Sequence, residues 1–307
     1  MDRRDFLKIS GAAAAGLACS DLLAMPGKTS PSPQGPGEKM KGYFTLLQIT
    51  SVKDTICCSY LFRTSGGKVI MVDGGFAHEH ENLRQKIVEA GGTVDIWFIT
   101  HPHDDHMGAF AEIMSDLRGI KIKKVVYSRC TDEVLRAETW APQNFDLAKG
   151  YYKVLESITE GTDIIDLHTT GGRFDIDGIG IKVLGVSNPE FLNNSYNNNS
   201  MILRFWDRKK SVIILGDAGE ECGDKAMAAY PEWFVCDYLQ MAHHGQNGCT
   251  RAFYDKTGFR ACLWPTPSWV WEPTINWINT RDVRRWVEEK GVTENHVSCL
   301  EKDWMLK

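Results

Sequence analysis

The sequence predicts an α/β protein in which two mixed sheets pack face to face and helices flank them on the outside. Three observations predict it. Short apolar strands alternate with amphipathic helices along the body of the chain. That rhythm runs twice, once to about residue 158 and again from about residue 179. Several strands run straight into Asp, His or Gly, the residues of tight loops that carry chemistry at a sheet edge.

The folded part is expected to span 42–307. Before it, residues 1–25 read as an export signal. Arg3-Arg4 precedes Asp5-Phe6-Leu7-Lys8, and an Ala- and Gly-rich stretch follows to Ala18. The block RRDFLK resembles the twin-arginine export signal of bacteria, which carries folded proteins out of the cytoplasm. Two cleavage points stay open: one near Ala24, and one before Cys19, which would then carry a lipid anchor. Residues 26–41 are dense in Pro, Gly and Ser and read as a flexible linker.

Each element has a local reason. Tyr43–Thr50, Cys57–Thr64 and Lys68–Val72 are apolar runs between polar or Gly turns, and so are strands; Asp73-Gly74-Gly75 ends the third. Glu79–Ala90 is a helix closed by Gly91-Gly92. Val94–Thr100 is a buried strand that runs into His101. Met107–Leu117 is a helix, Ile122–Tyr127 a strand, and Phe145–Ile158 a helix. In the second half the strands are Ile179–Val186, Ser200–Trp206, Ser211–Leu215, Tyr238–Ala242, Ala261–Trp264 and His296–Leu300. The helices between them are Glu220–Tyr230 and Arg281–Glu289.

Composition narrows the function. The 307 residues carry 35 Lys+Arg against 40 Asp+Glu, a net charge of −5, so no broad basic surface for a stable nucleic-acid complex is expected. The substrate is expected to be a small molecule or a cell-surface polymer. No apolar run in the body reaches the roughly 18–20 residues of a membrane span. None of the nine cysteines shows zinc-finger spacing, and they read as buried thiols or, in an oxidising compartment, as partners in bridges.

The histidines point to a metal. Three of the nine fall in His101-Pro102-His103-Asp104-Asp105-His106, between a buried strand and a helix, and two more are adjacent at His243-His244. Imidazole and carboxylate are the ligands of zinc, manganese and iron. His78, His80, His168 and His296 read as surface or structural residues. The aromatic stretch that holds Trp264, Trp269, Trp271 and Trp277 either walls a pocket or packs over the core edge.

The pattern His101-x-His103-x-Asp105-His106 resembles the HxHxDH signature of the metallo-β-lactamase superfamily. Asp73 in VDGG, Asp217 in ILGDAG and His243 in QMAHHG fit the family's further motifs in order and spacing. The resemblance runs from about Tyr43 to the C-terminus. It implies the αββα sandwich and two divalent metal ions, zinc first and manganese or iron as alternatives. It also implies a first metal on His101, His103 and Asp217, and a second on Asp105, His106, Asp217 and His243. Asp73 would position a ligand, and His244 would donate a proton or a hydrogen bond to the leaving group. One departure matters. Where the family supplies a further histidine to the first metal, this chain reads Asn193–Ser200, and Asn197 or Asn199 is the candidate metal or substrate contact. That Asn-rich run, with the HHG motif, resembles the sub-branch of DNA-uptake competence proteins and bacterial phosphorylcholine esterases. The implied function is a metal-dependent hydrolase that uses a metal-bound hydroxide on a phosphodiester. Hydrolysis of a carbonyl substrate (β-lactam, lactone or thioester) and a non-catalytic, metal-retaining binding module are the alternatives.

Overall fold

The computed structural model describes residues 40–158 and 160–307. The export signal expected at 1–25, Cys19 within it and the linker up to residue 39 lie outside the described residues. The first half holds β1 (Phe44–Gln48), β2 (Ser59–Thr64), β3 (Val69–Asp73), α1 (His80–Glu89), β4 (Thr93–Val94), β5 (Ile96–Phe98), α2 (Asp104–Ser115), β6 (Lys121–Ile122), β7 (Lys124–Tyr127), α3 (Asp132–Ala137), α4 (Gln143–Glu156) and β8 (Asp163–Asp166). The second half holds β9 (Arg173–Ile176), β10 (Ile179–Gly185), β11 (Ile202–Trp206), β12 (Ser211–Ile214), α5 (Glu220–Ala229), β13 (Tyr238–Gln240), α6 (Arg251–Lys256), β14 (Ala261–Trp264), α7 (Ser268–Trp271), α8 (Thr280–Glu289), β15 (Glu294–Val297), α9 (Ser298–Glu301) and β16 (Trp304–Leu306).

Two seven-stranded sheets result, in the orders β16-β1-β2-β3-β5-β7-β8 and β15-β14-β13-β12-β11-β10-β9. Both are mixed. In the first, β1 to β3 pair antiparallel and β3, β5, β7 and β8 pair parallel. In the second, β9 to β12 pair antiparallel and β12 to β15 pair parallel. Because successive strand residues face opposite sides, each strand feeds two cores. Phe44, Phe62, Val72 and Phe98 meet Ile181, Leu203, Phe205 and Ile214 between the sheets, and Phe62 stacks on Phe205 with ring centroids 4.1 Å apart. On the outer face of the first sheet, Met71 and Trp97 pack on Leu83, Phe110 and Tyr152 of α1, α2 and α4. On the outer face of the second, Ile213 and Leu239 pack on Ala226, Phe253 and Val287 of α5, α6 and α8. These layers are the predicted αββα sandwich.

The structure differs from the sequence reading in several places, among them β8, α3, α6 and α7, which have no counterpart in it. A strand, β9, precedes β10, and the two are joined by Asp177-Gly178 with both φ angles positive, +50° and +76°. This Asp-Gly pair is a hairpin signal that the sequence reading passed over. The strand expected at His296–Leu300 ends at Val297; Ser298 Oγ then donates to the Thr266 carbonyl, and a short helix turns the chain back. It returns as β16, which pairs with β1 across the halves. The helix expected from Met107 begins at Asp104, so Asp105 and His106 lie in its first turn. All eight described cysteines are free, seven of them buried. Among the described residues, no helix is long and apolar enough to cross a membrane.

Candidate metal centre

Four parallel-paired strands deliver the site to one edge. Asp73 is the last residue of β3, and β5 leads through Ile99-Thr100 into His101. From the other sheet, β12 leads through Gly216 to Asp217, and β13 through Met241-Ala242 to His243 and His244. Met201 N, at the entry to β11, donates to Thr100 O at 2.8 Å and so ties the two sets of loops together, while within the second set His243 N donates to Gly216 O at 3.1 Å. Gly216 has φ +57°, and a Cβ there would lie 2.8 Å from Thr100 Cβ, so the close approach requires glycine. Asp73, His243 and His244 also hold left-handed backbone, at φ 55°, 52° and 55°. Strained backbone of this kind gathers at functional sites.

Four imidazoles are held in the same way, each with one nitrogen tied outward and the other turned in. His106 Nδ1 donates to Asp73 Oδ2 at 2.7 Å. His244 Nδ1 donates to the Pro265 carbonyl at 3.0 Å. His103 Nε2 donates to Glu138, 3.1 Å from Oε2. Thr100 Oγ1 donates its single proton to Asp73 Oδ2 at 2.7 Å, so it accepts from His101 Nδ1 at 3.1 Å. The inward atoms then converge. His244 Nε2 lies 2.8 Å from Asp105 Oδ2 and 3.4 Å from Asp217 Oδ2. His106 Nε2 lies 3.1 Å from Asp217 Oδ1 and 3.4 Å from Asp105 Oδ2. His101 Nε2 faces His103 Nδ1 at 3.0 Å and Asp217 Oδ2 at 3.9 Å.

Among the described residues three groups of ligand atoms come together within 4.8 Å, and two of them are built of His and Asp around one carboxylate: Asp105, His106, Asp217 and His244, and His101, His103 and Asp217. Asp217 is common to both. The donors fit divalent cations. His106 Nε2 and Asp217 Oδ1 are buried and face each other without the alignment of a hydrogen bond. Two imidazole lone pairs at 3.0 Å, as on His101 and His103, need a proton or a cation between them. An all-nitrogen and oxygen set of His and Asp suits zinc, manganese or iron.

The electrostatics agree. Burial opposes charge on His106, yet Asp217, Asp105 and Asp73 hold its pKa well above the imidazole range. Burial likewise opposes charge on His244, but Asp217 and Asp105 raise it to about 10. Burial and the neighbouring His106 push His101 down, keeping it neutral. Asp105 and Asp217 stay ionised: burial works against them, but His106 and His244 hold both well below the usual carboxylate range. Three buried carboxylates thus set up a field that draws positive charge. Cys58 sits beside Asp73 and His106, but burial pushes its thiol far up, so it stays protonated.

The structure brings His101, His103, Asp105, His106, Asp217 and Asp73 together as the sequence reading placed them. Of the two adjacent histidines, it groups His244 more tightly with these carboxylates. His244, fully buried, joins Asp105, His106 and Asp217, in the place expected of His243. His243 has a 22% exposed side chain with Nε2 3.9 Å from Asp217 Oδ2, and its Nδ1 makes no hydrogen bond. The cause is the left-handed turn through both residues, together with the Pro265 carbonyl that fixes His244 inward.

Asn199 is not a site contact. Its Oδ1 accepts from Ser187 Oγ and Asn188 N, and its Nδ2 donates to Ser195 O, so its amide holds a loop together. Asn198 caps α5 through Cys222 N. Asn197 keeps a buried Oδ1 without a partner. Trp264 and Trp271 pack edge to face at the core, while Trp269 and Trp277 are exposed.

The sequence reading missed Thr100, Tyr196, Glu138 and Trp140. Tyr196 stacks on the His103 ring at 4.6 Å and 5°. Trp140, 73% exposed, comes within 6.5 Å of the same ring. Thr100 could have been found from its place between a buried strand and His101; Glu138 carries no sequence signal.

Residues 52–129 match the family model described as Metallo-beta-lactamase superfamily. Residues 1–18 match the TAT (twin-arginine translocation) pathway signal sequence, which directs export across the cytoplasmic membrane. Among solved structures, the metallo-beta-lactamase fold protein YhfI from Bacillus subtilis is 13% identical, with a TM-score of 0.53 over 86% of this chain and 99% of that chain. CmlA, a diiron beta-hydroxylase from Streptomyces venezuelae, is 14% identical, with a TM-score of 0.53 over 89% of this chain and 55% of that chain. No curated protein matches the sequence.

Proposed function

For this exported chain with the metallo-β-lactamase fold, we propose a metal-dependent hydrolase whose two cation positions share Asp217 and whose substrate is a phosphodiester. The single observation that carries the reading is the common arrangement of His101, His103, His106 and His244. Each is tied outward through one nitrogen and turned through the other onto buried Asp105, Asp217 or a second imidazole.

Divalent cations bound there would supply Lewis acidity and acidify a water near neutral pH. The chain's own residues do the rest. Asp73, fixed by Thr100 N and Oγ1, keeps the His106 proton on Nδ1 and so leaves Nε2 free for a ligand. Pro265 O does the same for His244. His243 sits beside Asp217 with an exposed edge, and burial holds its pKa below the usual imidazole range, so it rests neutral and is placed to accept a proton or a hydrogen bond from the substrate or its attacking water. The buried, unpartnered Asn197 Oδ1 is the remaining candidate contact to substrate or to the first position. The phosphodiester substrate is favoured by the sub-branch resemblance of the Asn-rich run and by the absence of the histidine that carbonyl-cleaving branches place before Ser200.

The test is a substrate comparison on chain loaded in turn with zinc, manganese and iron. The probes are bis(p-nitrophenyl) phosphate, p-nitrophenyl acetate and a chromogenic β-lactam. Turnover of the diester above the other two, abolished in Asp217→Asn, supports the reading; turnover of the ester or lactam alone overturns the substrate assignment.

A further inference from the structure

We propose that Glu138 is the positioning residue of the first cation position, giving His103 the support that a third histidine ligand would otherwise share. The inference rests on the two-position reading above. The first group offers three protein ligands, His101, His103 and Asp217, where the second offers four.

His103 is held at both its edge and its face. Its edge donates through Nε2 to both Glu138 oxygens, at 3.1 and 3.3 Å. Its face lies flat on Tyr196. Glu138 is 5% exposed and is itself held by Asn144 Nδ2 at 2.6 Å. Among the described ion pairs, its partner is His103, with no Lys or Arg. A buried carboxylate without a basic partner is costly, so it stays where its charge does something. Here it forbids the flipped ring that would turn Nε2 inward, and it makes the inward Nδ1 a stronger donor. The glutamate lies on the α3–α4 connector, two residues before Trp140, away from the four strand ends that supply the ligands.

The experiment is a calorimetric Zn2+ titration of the metal-stripped full chain, repeated with Co2+ while following its visible absorption. Wild type, Glu138→Ala and Glu138→Gln are compared, and His244→Ala identifies which equivalent belongs to the first position. Glu138→Ala is expected to weaken that equivalent by about 10- to 100-fold and to alter its cobalt spectrum, with the other equivalent unchanged. Glu138→Gln, whose amide oxygen still accepts from His103, is expected to lose less. Wild-type affinity in Glu138→Ala overturns the inference. So does equal weakening of both equivalents without rescue by Gln, which would mark general structural damage. A wild-type chain that binds one equivalent, unaffected by Glu138, overturns it too. A wild-type chain that binds no metal overturns the two-position reading itself.

Discussion

Asp73 Oδ2 accepts a hydrogen bond from His106 Nδ1 at 2.7 Å, and neither residue is exposed. The same carboxylate accepts from Thr100 N and Oγ1, so one side chain fixes a candidate ligand ring and the strand end that bears the HxHxDH loop. Asp73→Ala should weaken metal binding by about 10- to 100-fold. It should also destabilise the metal-free chain by roughly 1–3 kcal/mol, because Thr100 N is left buried without a partner. Asp73→Asn should cost less, since Asn tolerates the backbone at φ +55° and keeps one acceptor. Zinc titration and urea unfolding of the three chains measure both effects.

The adjacent histidines should separate cleanly. His244→Ala removes an inward nitrogen from the four-ligand group and should lower the bound metal by about one equivalent. His243→Ala should keep both equivalents and lose turnover by about 10²- to 10⁴-fold, the usual contribution of a proton-transferring side chain. Elemental analysis and diester hydrolysis on each variant check this pair of outcomes; loss of metal in His243→Ala would return the ligand role to that residue.

Protons would compete with a cation bound at this centre, which sets the sign of the expected pH dependence. His244 is raised to about 10 in the folded chain, from roughly 6.5 unfolded. Its contribution to the stability of the metal-free chain is therefore complete below about pH 6.5 and is lost as pH rises toward 10. His106, raised by the same carboxylates, acts in the same direction. A bound cation displaces those protons, so zinc should stabilise more at higher pH. Tm of stripped and zinc-loaded chain, followed from pH 6 to 9, should diverge as pH increases; a constant or shrinking gap would contradict the assignment.

Gly216 holds the two halves of the site at contact distance. Gly216→Ala places a Cβ against Thr100 in a left-handed conformation, and should cost roughly 1–3 kcal/mol. Because Thr100 ties Asp73 to His101, zinc affinity should fall as well. Denaturant unfolding and zinc titration would show both losses; a loss of stability with wild-type zinc affinity would break the proposed link.

The parts of this fold that the sequence made legible are those where local pattern and burial agree. β5 and the body of β3 are apolar because both faces are covered, and Asp73 at the end of β3 and His101 just beyond β5 mark the sheet edge. The HxHxDH loop is readable because its candidate ligands lie within six residues. What stayed hidden depends on tertiary geometry. Whether His243 or His244 turns inward depends on a left-handed turn and on the Pro265 carbonyl, 21 residues away. Asn197 and Asn199 look alike in sequence, but the Asn199 amide is taken up by Ser187, Asn188 and Ser195, while Asn197 donates to Asn194 and keeps a buried Oδ1 without a partner. Glu138 meets His103 from 35 residues away, across a connector with no motif.

The central claim is a shared two-cation centre, and the metal-to-protein ratio of the purified mature chain tests it most directly. Elemental analysis should find close to two equivalents of zinc, manganese or iron per chain. Absence of bound metal, even after zinc, manganese and iron are each supplied, would contradict the account and leave a binding module on this fold.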